Sequence, residues 1–530
     1  MRRLALFAAL LLSFEAGAAT GSAAADTFYV RPASACANNG DGMAYACAAS
    51  AGASGAWRTS AAVSYSTTTG VDDGDTLKFC GDFVEADLDT GAYFIFLSSA
   101  VTAASEAGRI TISGDCSAEG GASIATVTGN GGAMKIGFGM SVSDYITIQH
   151  FDFSTLDQAI ANTCQPASSP EGVIARGIRG NVSGSGAGMS VNGNPYLLED
   201  IDITAVGEPI LICPGAAGES NGIIRNARLV STSTTDIDAD GIQQSAGGGA
   251  IRLENIDVYK RNPFKGCGIV GSVSGAVQVD GFRCHWLGAP GAAVSGLAVD
   301  GSGPGGYVRG WWSDAPGVGV LLRDDVTPFA GAFEVSGGIC AGCSSAVSLD
   351  GVHPAGAISI FGNSGWTTST GILAESGYNP LSTVVRNNIF DAPVGIDVNA
   401  TVAAADIDID FTRWGESVTS WKWRGTTDTS LDAYKVTSSK GANDTQGDPV
   451  FIGGPNPTTA EGFKPGADSP LCGAGTPVSG THDYNGRRFV NLPAIGAFAC
   501  QGGHPRTALT PRTTFEARTP VARDTLEARP

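Results

Sequence analysis

The apolar positions along this chain fall into two interleaved series that share one period. Short strands headed by Gly or Ala recur at Ile242, Ile269, Val294, Val320, Val347, Ile372 and Ile396, spaced by 24 to 27 residues. Between them runs a second series in which apolar and polar residues alternate: YLLEDIDIT from Tyr196, GIIRNARLV from Gly222, AIRLENIDV from Ala250, AVQVDGFRC from Ala276, YVRGWWSD from Tyr307, AFEVSGGIC from Ala332 and TVVRNNIFD from Thr383. Alternation with period two marks half-buried strands, and a repeat of this length marks a solenoid. A single coil cannot bury its apolar face, whereas coils stacked above and below one another make a continuous core. The pauses at Glu254-Asn255, Asp280-Gly281 and Asn387-Asn388 are bends, because Asn, Asp and Gly tolerate left-handed backbone. The pattern therefore predicts an all-β fold: a single right-handed parallel β-helix of at least nine coils over residues 75–445, with the seven residues of the first series in one inward stack. A short helix from Ala56 to Tyr65, with Trp57 against the first coil, is expected to cap the N-terminal opening within a 26–74 cap. A closing segment, 446–500, is expected to cover or extend the other end.

Composition agrees with many short strands and tight turns. There are 75 glycines, only 16% charged residues and 8% aromatics. A net charge of −19 excludes a nucleic-acid partner, since no basic stretch could neutralise a phosphate backbone. Residues 1–25 read as a signal peptide: Arg2 and Arg3, an apolar run from Leu4 to Phe14, then Ala23-Ala24-Ala25 before Asp26. No later apolar run reaches membrane-spanning length, so a secreted or periplasmic monomer is expected. Twelve cysteines in an exported chain imply disulfides, with Cys36–Cys47 and Cys472–Cys500 as local pairs. Cys340 and Cys343 form a lone CxxC whose expected role is a turn or a local bridge. Residues 501–530, rich in Pro, Thr and Arg, read as a disordered tail.

The chain resembles the pectate-lyase-like superfamily of parallel β-helices over nearly all of residues 26–500. The start (DTFYVRPASACANNGDG, GAWRTSAAVSY, DDGDTLKF) is similar to that group's first strand, cap and first coil. The end (GDPVFIGG, GFKPGADSPLCGAG, HDYNGRRF, AIGAF) is similar to its closing segment. The resemblance implies the fold and a polysaccharide partner. It does not fix the chemistry, because the group holds lyases, hydrolases, epimerases and adhesins. Pectin-hydrolysing members carry spaced Asp pairs with Gly-His-Gly and Arg-Ile-Lys; here Asp324-Asp325 stands without either companion.

In a stacked helix, residues one period apart become neighbours, so loops can be read as a ladder. Asp236, Asp238 and Asp240 offer the hard oxygens that Ca²⁺ takes, although an acidic, solvated loop has the same composition. One coil on, Lys260 and Arg261 are candidate catalytic residues, Lys260 as base and Arg261 as partner of a uronate carboxylate, with Lys265 as a further substrate contact. Gln243, His285, Trp286 and Trp312 are candidate substrate-binding residues. Segment 221–330 holds nine Lys/Arg against ten Asp/Glu, a near-neutral region in an acidic chain, and so the place where a polyanionic sugar is best tolerated. The preferred expectation is β-elimination of an acidic polysaccharide. A non-catalytic glycan-binding or adhesion protein is the alternative, and a glycoside hydrolase the third.

Overall fold

The computed structural model describes residues 25–51, 53–58, 71–84, 93–97, 103–129, 135–140, 143–162, 170–184, 186–192, 194–213, 221–234, 240–244, 249–261, 266–272, 275–288, 295–323, 329–351, 356–376, 378, 382–403, 407–466, 468–477, 483–485 and 495–498. The expected signal peptide, most of the Ala56–Tyr65 helix, Asp236, Asp238, Lys265, Val294 and the 501–530 tail lie outside these residues.

Strands pair in parallel from coil to coil, and three sheets run the length of the molecule. The first sheet begins at Thr27–Val30 and Thr76–Phe79 and continues through Tyr196–Glu199, Gly222–Arg225 and Ile251–Glu254 to Ile407–Asp410. The second follows after a bend and includes Ile256–Lys260, Phe282–Trp286, Trp312–Ser313 and Ile389–Asp391. The third returns through Ile242–Gln244, Gly266–Ser272, Ser295–Ser302 and Val318–Arg323. Among the described residues the hairpin of Ser420–Trp423 with Thr426–Asp428 is the antiparallel exception between strands. The chain is thus a parallel β-helix, as the period requires.

The bend between the first and second sheets uses one left-handed residue per coil. His150, Gly177, Asp200, Asn226, Asn255, Gly281, Gly310, Gly337, Gly362, Asn387 and Phe411 all have φ between 54° and 77°. Side-chain amides tie this column together: Asn226 Nδ2 donates to Asp200 Oδ1 at 3.1 Å, and Asn255 Nδ2 donates to Asn226 Oδ1 at 3.2 Å. A β-branched residue would meet both a backbone penalty and the lost amide. Asn255→Val is expected to destabilise by about 2–3 kcal/mol, read as a lower denaturant midpoint, while Asn255→Gly should cost much less. Equal midpoints for the two variants would refute this account of the bend.

The inward stack of the third sheet runs Ile210, Ile242, Gly268, Leu297, Val320, Val347, Ile372, Ile396. Five of the seven expected members are in it. Ile269 is one position out of register and half-buried, because Gly268 faces the core there. A side chain at Gly268 would lie about 3.0 Å from the Phe282 ring and 3.1 Å from Leu297 Cδ1, so these two larger groups already fill that layer. In the N-terminal half, a small void is lined by Met140, Ile148, Ile160, Val173, Ala175, Ser190, Val191 and Leu198. Such a lining makes it a packing defect rather than a ligand site.

The ends are closed differently from one another. Trp57 is buried and stacks on Phe28 at 5.3 Å, as expected of the first coil. At the far end the cover is helix α1, Leu431–Ser438, N-capped by Ser430 Oγ, which accepts from Ala433 N at 3.2 Å. Its Tyr434 stacks on Trp421 of the last coil at 6.3 Å. The described residues of the closing segment lie along the side of the β-helix. The segment's Phe451, Phe463, Leu471, Ile495 and Phe498 pack on the outer flank of the second sheet, against Trp312, Ile339, Ala341 and Ile389. Hydrogen bonds from Trp366 Nε1 to Pro457 O (2.8 Å) and from Asn387 Nδ2 to Thr476 O (2.7 Å) fasten it there. It is a lateral strap.

Cys36–Cys47 is a disulfide, as are Cys80–Cys116, Cys267–Cys284 and the CxxC pair Cys340–Cys343. Cys472 is disulfide-bonded, and its expected partner Cys500 lies outside the described residues. No described helix is long and apolar enough to cross a membrane.

Candidate functional site

On the second sheet every other residue faces outward, and the parallel register sets these residues in columns along the axis. One column reads Asp152, Arg179, Asp202, Arg228, Asp257, Arg283. Acid and base alternate at every step. Arg228 Nη1 reaches Asp202 Oδ1 at 3.0 Å, and Arg283 Nη1 reaches Asp257 Oδ1 at 2.8 Å. Such pairs neutralise the face while leaving donors and acceptors at its surface.

Two residues further along each strand, Tyr259 and His285 are register neighbours, and their rings stack at 4.7 Å. Arg228 lies over the other part of this platform, 5.2 Å from the Tyr259 ring. His285 sits between two carboxylates, with Nε2 3.9 Å from Asp257 Oδ1 and Nδ1 3.9 Å from Asp314 Oδ2. At these distances they are charge contacts rather than short hydrogen bonds. Burial works against the imidazolium, but the attraction of Asp257 and Asp314 outweighs it and pushes His285 up to about 9. Burial alone would raise Asp257; its His285 and Arg283 partners reverse this and hold it below the usual carboxylate range. Tyr259 is raised by burial and by Asp257. At neutral pH the group therefore carries a neutral phenol, a charged imidazolium and the ionised Asp257 carboxylate.

The strap supplies one more residue. Tyr484 faces the Arg283 guanidinium, and its backbone oxygen would lie 3.3 Å from a side chain at Gly310, so the strap edge abuts this coil. Burial raises the Tyr484 phenol against the opposing pull of Arg283.

The residues singled out from sequence are placed as follows. Lys260 is fully buried: its Nζ donates to Gly266 O at 2.9 Å and lies 3.6 Å from Asp240 Oδ1. Asp240 is also fully buried, and its Oδ1 accepts from Gly266 N at 3.0 Å. Asp240 and Lys260 thus meet inside the wall. Arg261 is half-buried at the strand end, and Gln243 is half-buried between Leu211 and Ile269. Trp286 is register neighbour to Lys260 and packs partly against the core, its N donating to Asp314 Oδ1 at 2.6 Å. Trp312 points out of the helix, as its parity requires, but only 5% of it is exposed because the strap covers it. Of the earlier candidates, His285 lies on the open face. Asp257, Tyr259, Arg283 and Tyr484 carried no signal in the loop ladder, although the first three share its outward parity. Among the described residues no three His, Cys, Asp or Glu side chains converge as a metal cluster.

No family model matches the chain, and no curated protein matches it. Among solved structures it is similar to the crystal structure of pectate lyase Pel9A, with 13% identity over 90% of this chain and 97% of that one, at a TM-score of 0.35. That superposition is too loose to carry residue roles across, and the parallel β-helix stands on the register of the chain's own strands.

Proposed function

We propose that the protein acts outside the cytoplasm on an acidic polysaccharide, which lies along the outward columns of the second sheet with one sugar over Tyr259 and His285. The observation that carries this reading is the open, preorganised set of Tyr259, His285, Asp257, Asp314 and Arg283. The stacked rings of Tyr259 and His285, with the fixed charged donors and acceptors beside them, offer the hydrogen-bond partners that a hydroxyl-rich sugar requires. The disulfides suit an oxidising compartment.

β-Elimination is the chemistry preferred for this site. Arg283 would stabilise charge building on a uronate carboxylate, and the leaving glycosidic oxygen would take its proton from water. Lys260, held inside by Asp240 and Gly266, is poorly placed as base; His285 takes that role only after losing its proton, which ties turnover to alkaline pH. Non-catalytic glycan binding is the second reading, favoured by the burial of Lys260.

The test measures binding and the ultraviolet absorbance of unsaturated uronates across polygalacturonate, alginate and hyaluronan, from neutral to alkaline pH, with and without chelator. The chelator arm reports on the Ca²⁺ role proposed for the Asp236–Asp240 loop. Wild type is expected to bind at least one of these polymers, and His285→Ala or Asp314→Asn to weaken that binding about tenfold, the effect of losing one charge-assisted contact. Absorbance that rises with pH supports elimination, and binding without absorbance supports the second reading. Binding to none of the polymers would falsify the proposal.

A further inference from the structure

We infer that this site receives the end of a glycan chain rather than its middle, an inference that rests on the polysaccharide reading above. The column Asp152, Arg179, Asp202, Arg228, Asp257, Arg283 is exposed or half-exposed at every step. Its next two members, Trp312 and Ile339, are buried under the strap. The surface is therefore open on the N-terminal side of His285 and closed immediately beyond Arg283 and Asp314.

The closure is built from packed side chains. Phe463 meets the Trp312 ring edge-on at 6.2 Å, and Ala497 N donates to Ser364 Oγ at 2.8 Å two coils further on. Tyr484 stands at the near edge, facing Arg283. A polymer lying along the axis advances one coil per roughly 4.8 Å, close to the length of one sugar residue. It can run from Arg283 back over Arg228 and Arg179, where guanidinium groups recur at every second coil. It cannot continue through the strap. The sugar over Tyr259 and His285 is then at or next to the chain terminus, and Tyr484 is the residue it abuts.

The experiment takes the polymer that binds in the panel above and cleaves it chemically into fractions of decreasing mean length. Protein bound per gram of sugar is then measured for each fraction, with wild type and with His285→Gln. Bound protein should rise in direct proportion to the number of chain ends, and the affinity should fall about tenfold in His285→Gln. Reducing the fractions with borohydride identifies the end that is held, since binding should fall for one terminus only. Capacity per gram that is independent of length would overturn chain-end recognition and leave the polysaccharide reading standing. End-dependent binding with undiminished affinity in His285→Gln overturns its assignment to this site. Failure of every polymer in the panel overturns both readings together.

Discussion

Lys260→Ala is expected to lower the unfolding free energy by about 3–5 kcal/mol, the range for removing one partner of a buried ion pair. Lys260 and Asp240 are both fully buried, and their charges lie 3.6 Å apart. The ammonium also donates to Gly266 O, and the carboxylate accepts from Gly266 N. Deleting the lysine leaves a carboxylate in the wall with its cationic partner gone, and it leaves the volume of a long side chain unfilled. The loss should appear as a lower denaturant midpoint in the protein without any glycan. Lys260→Met combined with Asp240→Leu removes both charges and keeps most of the volume, and should recover much of the stability. A Lys260→Ala protein with wild-type stability that loses only turnover would reverse this assignment and restore the catalytic role.

The parity of a strand explains why Lys260 read differently in sequence. Ile256 and Val258 face the core, so Lys260 shares their parity and Tyr259 faces out. That alternation was legible, but only if the strand continues to Lys260. The basic run Lys260-Arg261 instead suggested that the strand had ended and a solvated loop begun. A buried lysine is uncommon unless it is paired, and its partner Asp240 lies a coil earlier, in a stretch that looked like a calcium loop. The bends were read correctly at Asn255, Gly281 and Asn387, because a left-handed backbone leaves a residue-type signal at the position itself. The strap left no such signal. Its apolar residues Phe451, Phe463 and Leu471 have no periodicity, and nothing local distinguishes packing on an end from packing on a flank. Trp312 shows the consequence: it faces outward, but its exposure depends on a segment more than a hundred residues away in sequence.

The stability of the folded protein should fall as pH rises from about 6.5 through about 9, and His285 should account for most of that slope. The imidazole moves from its ordinary 6.5 to about 9 on folding, against burial and because of Asp257 and Asp314. A raised folded value means that the folded state holds the proton more tightly than the unfolded chain. Its contribution is therefore complete below 6.5 and disappears as pH passes through about 9. A shift of this size is worth at most about 3 kcal/mol, and the 27% side-chain exposure of His285 reduces this through solvent screening to about 1–2 kcal/mol. Asp257 works in the opposite direction. Its depressed value contributes stability above the ordinary carboxylate range, and that part is lost as pH falls into acid. Together they predict greatest stability in mildly acidic solution, between the two titrations. Denaturant midpoints across this range should slope downward toward alkaline pH in wild type and flatten between 6.5 and 9 in His285→Gln. Asp314→Asn removes one of the two attractions, so its descent should be smaller and end at lower pH, and the histidine resonance followed by NMR should titrate below the wild-type value. An unchanged slope in His285→Gln would show that the imidazole is not held between the two carboxylates in solution, and the platform proposed for the sugar would lose its charged half.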